Sequence, residues 1–249
     1  MNYLDYEFVI LVGSFVAQVL AGYVGDYIRK SRGLAPGEAR EFDTVKTGAL
    51  TLLALLIGFS FSMAISRYDE RKNYEELEAN AIGTEFARAA LLPEKEAAQT
   101  RDLLRKYLDV RIAFYLANGD DKALQEETGR LQNELWSAIL PSARAEPTQV
   151  IALVVSGMND VLNSQGFTQA AWLNRIPHTA WILMALIAIF CNLLIGYGEP
   201  HRGVQPLLVL PLIVSVSLFL IADLDSPRTG MIRIQPVNLI LASQAMKIP

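Results

Sequence analysis

The chain has 249 residues, 52% of them hydrophobic and 19% charged, with a formal net charge of -4. It is too apolar for an ordinary soluble domain, too charged to lie wholly in lipid, and lacks the basic excess of a nucleic-acid binder. One cysteine, Cys191, allows no internal disulfide and no cysteine-based metal site.

A helix needs roughly 20 mostly apolar residues to cross a bilayer. Four stretches meet that length, at about residues 8–27, 47–66, 179–197 and 204–222. The first holds Gln18 as the one strongly polar residue of its interior. Asp5 and Glu7 precede it in place of a basic leader, so no removable signal peptide is expected. The second is uncharged and continues, with no proline, into SRYDERKNYEELEANAIGTEFARAALL. One helix over about 47–91 is expected.

Two features of that helix point to chemistry. Ile57, Phe61 and Ile65 recur every fourth residue and form one ridge. The ridge packs against lipid or a neighbouring span, or it rings an oligomer axis as an apolar constriction that gates by dewetting. Phe59 competes on another face. Gly58, Ser60, Ser62 and Ala64 are small enough for close helix approach. Just beyond, Arg67 and Arg71 lie one turn apart. They anchor the interface or pair with Asp69, Glu75 and Glu78, or they form cationic rings at a pore mouth that concentrate anions. Glu75, Glu76 and Glu78 read as a solvated face, with Arg71 and Glu75 an i,i+4 pair. Further on, Glu85 is near enough to partner Arg88.

Residues 67–175 carry 13 Lys/Arg and 17 Asp/Glu. Apolar residues recur there at helical spacing: Leu103, Leu104, Tyr107, Leu108, Ile112 and Tyr115, then Leu124, Leu131, Leu135 and Ile139, then Val150, Leu153, Val154, Val161 and Leu162. Breaks fall at Leu92-Pro93, at Asn118-Gly119-Asp120 and between Pro141 and Pro147. The pattern predicts four helices in an antiparallel bundle, the first being the continuation of span two.

The third span contains Asn192, and the fourth contains Pro206 and Pro211, tolerable where neighbouring helices satisfy the freed carbonyls. Lys and Arg do not decide sidedness. Six flank the membrane on the first-loop side (Arg29, Lys30, Arg32, Arg40, Lys46, Arg202) and seven on the other (Arg67, Arg71, Lys72, Arg175, Arg228, Arg233, Lys247). Asp223 and Asp225 have the oxygens a cation takes, but read better as a charged membrane exit and turn before Pro227 and Gly230. His178 and His201 read as interfacial polar residues. No HExxH, P-loop or nucleophile-elbow pattern occurs, so no enzyme and no cofactor are expected. The middles of the spans lack charged residues, which argues against a proton-coupled path.

The stretch from Gly58 to Pro93 resembles the bestrophin-like family of bacterial membrane proteins. The matching elements are Arg67-Tyr68-Asp69-Glu70-Arg71, Glu78-Ala79-Asn80-Ala81-Ile82-Gly83-Thr84, Arg88 and Leu91-Leu92-Pro93, with Leu224-Asp225-Ser226-Pro227-Arg228-Thr229-Gly230 after the last span. Glu78, Asn80, Gly83, Arg88, Asp225, Pro227 and Gly230 are thereby expected to serve helix packing and turns, with Gly83 allowing close approach. The resemblance implies kinship with bestrophins, pentameric anion channels whose second span lines the pore through apolar residues four apart. Ile57, Phe61 and Ile65 fit that spacing. Asp223 and Asp225 are two carboxylates where bestrophins have a calcium-binding acidic cluster, so calcium gating is not expected. In bestrophins the bundle is cytosolic, whereas Arg29, Lys30 and Arg32 argue for the reverse here.

The expected fold is all-α. A transmembrane hairpin (1–66) precedes a water-facing helical bundle (67–177), and a second hairpin with a C-terminal tail follows (178–249), span two continuing into the bundle. The expected function is a homo-oligomeric, anion-selective ion channel in the bacterial inner membrane. Its partners are lipid, copies of itself (a pentamer by resemblance) and small inorganic anions, with no nucleic acid. The alternative is a non-conducting membrane sensor or assembly module that signals through its helical domain.

Overall fold

The computed structural model describes residues 4–32, 38–117, 122–145, 147–198 and 205–247. The break at Asn118-Gly119-Asp120, and His201 and Arg202, lie outside them. Among the described residues eight α-helices follow in order: α1 (Leu4–Arg32), α2 (Glu38–Arg88), α3 (Glu94–Leu116), α4 (Lys122–Ala145), α5 (Gln149–Leu173), α6 (His178–Tyr197), α7 (Gln205–Asp225) and α8 (Val237–Ala245). Among the described residues there is no strand, and four helical stretches are long and apolar enough to cross a membrane. The chain forms two compact units, Met1–Ser66 with Arg175–Ile232, and Arg67–Asn174 with Arg233–Pro249.

The first unit holds α1, the apolar half of α2, α6 and α7. Glycines on α1 and α6 bring those helices into backbone contact. A β-carbon on Gly25 would collide with the Leu193 carbonyl, and one on Gly196 with the Gly22 carbonyl. In lipid, where apolar contact alone gives no preference for protein over acyl chain, such close approach holds helices together. Polar groups add to it. Asn192 Nδ2 donates to Gln18 Oε1 at 2.9 Å, and Gln18 Nε2 donates to Ser215 Oγ at 3.1 Å, linking α6, α1 and α7. The two polar residues conspicuous in the sequence thus satisfy each other. Leu53, Met184, Ala188, Cys191, Val214 and Leu218 make the apolar core of this unit.

The second unit packs the charged half of α2 with α3, α4, α5 and α8. Tyr107, Leu104, Leu108, Leu131, Leu135, Ile139, Val154, Met158 and Val161 are almost wholly buried in its core. At Leu92 the backbone turns extended (φ -80°, ψ 159°), and Pro93 precedes α3, so the expected break there is present. The break expected between Pro141 and Pro147 falls only at its far end: α4 runs through Pro141 to Ala145, and α5 starts at Gln149. A mid-helix proline removes one hydrogen bond and costs about 3 kcal/mol. Buried Leu135, Ala138 and Ile139 before it and Ser142 after it hold both flanking turns against the core.

The tail after Ile232, assigned from sequence to the last hairpin, clusters with this second unit. Leu239 and Met246 are buried, and Arg105 donates to the Met246 carbonyl from Nη2 (3.0 Å) and Nε (3.3 Å). Helix α2 spans 51 residues, about 76 Å at ~1.5 Å per residue, and starts nine residues before the expected point.

Candidate functional site

The membrane half of α2 buries one narrow stripe, Leu53, Ser60 and Ala64. Of the expected ridge, Phe61 and Ile65 are each 38% exposed, and Ile57 is half-buried against the apolar core of the first unit. Phe59 is the most exposed large side chain of this stretch, at 68%. The expected run of small residues splits in two: Ser60 and Ala64 are buried, whereas Gly58 has nothing within 4 Å of where a β-carbon would stand.

In the second unit the buried face of α2 continues at the same spacing as Arg71, Glu75, Glu78, Ile82 and Glu85, with Ala89 just past its end. Four of these six are ionisable, in positions that are ordinarily apolar. Glu75, at 1%, and Glu78, at 0% exposure, overturn the reading of a solvated acidic face; of that trio Glu76 alone is exposed. Three of the four buried charges have distinct partners.

Arg71 is 1% exposed, and this displaces it from the expected pore mouth. Its Nε donates to the Ala171 carbonyl and its Nη2 to the Asn174 carbonyl, both at 3.1 Å. A guanidinium at the end of α5 meets carbonyls that the helix leaves unpaired, at the negative end of its dipole. Glu75 does the converse for α8. It accepts from Leu239 N at 3.0 Å and from Asn238 Nδ2 at 2.7 Å, at the positive end. Arg67, by contrast, is half-buried at the start of this unit.

Glu78 sits among the closest set of partners. Arg111 Nε bonds one carboxylate oxygen, and Arg111 Nη2 (3.3 Å), Tyr115 Oη (3.3 Å) and Thr168 Oγ1 (3.0 Å) donate to the other. The guanidinium lies 4.4 Å from the centre of the Phe114 ring, and Phe114, Tyr115 and Trp172 pack on one another with centroids 4.9 to 5.6 Å apart. Burial works against the charge on Arg111, but the Glu78 carboxylate outweighs it and holds the guanidinium above its ordinary pKa. Burial, then the nearby Glu78 charge, raises Tyr115 and Tyr107 as well, so both stay neutral phenols.

A cleft of about 450 Å³ lies between α2 and α5. Asn80 and Arg88 line it from α2, Asp160 and Asn163 from α5, and the rings of Tyr74 and Phe167 stack at 5.9 Å beside it. Gly83 does not mediate the expected close approach, since nothing lies within 4 Å of its missing β-carbon. Gly157 on α5 does: a β-carbon there would collide with Glu85 Oε2 and Arg88 Nη1.

The segment after α7 is a turn built on two carboxylates, as expected. Asp225 accepts from Ile176 N at 3.1 Å. Asp223 accepts from Met231 N (2.6 Å) and Ile232 N (3.0 Å). Pro227 is buried, and Gly230, at φ 92°, adopts a backbone that suits glycine and leaves no room for a β-carbon beside Asp223 Oδ1. These oxygens are occupied by backbone N–H groups, the arrangement of a structural turn.

Comparison with known proteins agrees with this architecture. A family model described as the Bestrophin-like domain matches residues 44–239. No curated protein matches the chain in sequence. Three crystal structures of a bacterial bestrophin homolog from Klebsiella pneumoniae share its fold. One superposes with a TM-score of 0.68 at 15% identity, covering 97% of each chain. A second gives 0.64 at 14%, covering 96% of this chain and 95% of that one, and a third gives 0.62 at 16%, covering 95% and 98%. With the family model matching most of its length, the chain belongs to the Bestrophin-like family.

Proposed function

We propose that this chain is the subunit of a homo-oligomeric anion channel of the bacterial inner membrane, with α2 lining the pore. The exposure of α2 carries this reading. Within the chain, 17% of its most apolar stretch is buried, close to the 22% of α1 and far below the 50% of α7. Helices α1, α6 and α7 satisfy one another through glycine contacts and the Gln18–Asn192–Ser215 chain. Helix α2 leaves Leu52, Leu55, Phe59, Phe61, Met63 and Ile65 uncovered. A ring of copies covers the flanks of that surface and turns one ridge toward the axis.

Phe61 and Ile65 are the ridge residues, with Ile57 at its margin. An apolar ring narrows a pore and gates it by dewetting, and the positive edge of a phenyl ring accommodates an anion without a formal cation. Arg67, two residues past Ile65, adds positive charge at the mouth and raises the local anion concentration. Family membership supports the reading, since bestrophins are pentameric anion channels.

The test is chloride flux from purified oligomer in liposomes. The reading expects anion conductance from a ring of five. A dimer, or a pure ring that passes no anion, overturns it in favour of the non-conducting sensor, which needs the long helix but no axial hole.

A further inference from the structure

Glu85 is the fourth ionisable residue on the buried face of α2, and it differs from the other three. It is 0% exposed, yet neither of its carboxyl oxygens has a hydrogen-bond partner. Unpaired buried carboxylates are costly, and such groups neutralise by holding a proton. The surroundings favour that outcome. Oε2 lies against the bare Cα of Gly157, where α5 presents no side chain, and the Arg88 guanidinium reaches the same spot from the cleft side. Asp160, one turn further along α5, faces the group with a like charge. From α3, Arg101 and Arg105 turn instead to Phe86: Arg101 Nε donates to its carbonyl at 3.3 Å, and both guanidinium groups stack on its ring.

We propose that Glu85 is a proton-operated latch between α2 and α5: protonated, its carboxyl seals α2 onto Gly157, and deprotonated, it admits water or draws Arg88 inward and opens the cleft. The charges bear this out in direction. Burial pushes the Glu85 carboxyl up to about 8, Arg88 works against that rise, and Asp160 adds to it. Opening the contact therefore releases a proton at every pH between the ordinary carboxylate range and about 8. The closed state is fully favoured in acid and loses ground as pH rises through that window, then levels off.

The test is hydrogen exchange on the intact oligomer between pH 6 and 9, read on amides of residues 78–88 and 154–164 after intrinsic rates are divided out. Up to about pH 8 each pH unit should lower protection about tenfold, and above it the fall should level off. Glu85→Gln mimics the protonated carboxyl and should make protection independent of pH. Asp160→Asn removes the like charge and should move the upper end of the transition to lower pH. A wild-type protein with flat protection from pH 6 to 9 overturns the latch, as does a Glu85→Gln variant that keeps the wild-type slope. None of these readings depends on whether the protein conducts ions.

Discussion

Arg111 on α3 bonds Glu78 on α2 with both side chains withdrawn from solvent, at 1% and 0% exposure. Breaking such a pair strands one charge in the core, which costs about 3–5 kcal/mol. Glu78→Ala or Arg111→Met should therefore lower the melting temperature of the detergent-solubilised protein sharply. Replacing both by apolar residues of similar volume should cost less than either alone. A single substitution that leaves melting unchanged would refute the assigned role of the pair.

Phe61 and Phe59 separate the two faces of α2 in the membrane. Phe61→Ala should widen the constriction and raise anion flux or relax selectivity. Phe59→Ala, off the ridge, should leave both close to wild type. The reverse pattern in liposome flux would move the pore to the Phe59 face.

Arg67 and Arg71 lie one turn apart and are predicted to behave differently. Arg67→Ala should reduce anion preference. Arg71→Met leaves the carbonyls of Ala171 and Asn174 without their charged donor, and hydrogen bonds to charged groups contribute about 1.5–3 kcal/mol. It should lower melting. Equal effects of the two on flux alone would contradict this division.

Glycines supply an internal control. Gly25→Ala forces a β-carbon into the Leu193 carbonyl, so α1 and α6 must separate. Gly83→Ala meets open space and exchanges a poor helix former for the best one, a gain of up to about 1 kcal/mol. Gly25→Ala should reduce the yield of folded protein, and Gly83→Ala should raise melting slightly. A destabilising Gly83→Ala would mean that this position meets a neighbour in the assembly.

The helices were legible because their signals are local. The proline-free run after residue 47 predicted one helix out of the membrane, and Leu92-Pro93 predicted its end. Pro141 misled because whether a proline ends a helix depends on packing of the turns around it, which adjacent residues do not record. The acidic run misled for a related reason. Glu75 and Glu78 have the charge and spacing of a solvated face, and the groups that justify their burial lie far along the chain: Arg111 is 33 residues from Glu78, and Leu239 is 164 from Glu75. One signal was available. Arg71, Glu75, Glu78, Ile82 and Glu85 keep the three-and-four spacing of a core stripe, continuous with Leu53, Ser60 and Ala64. Charge masked a periodicity that was present.

That stripe also restricts how α2 can move. A seam of leucines is nearly indifferent to a shift of one heptad, because each knob finds an equivalent hole. The side chains of α2 are keyed individually: Arg71 to the end of α5, Glu75 to the start of α8, Glu78 to Arg111. Sliding or rotating the rod by one notch would present each key to the wrong lock and strand three charges at once. Within the second unit, helix α2 therefore has a single seat.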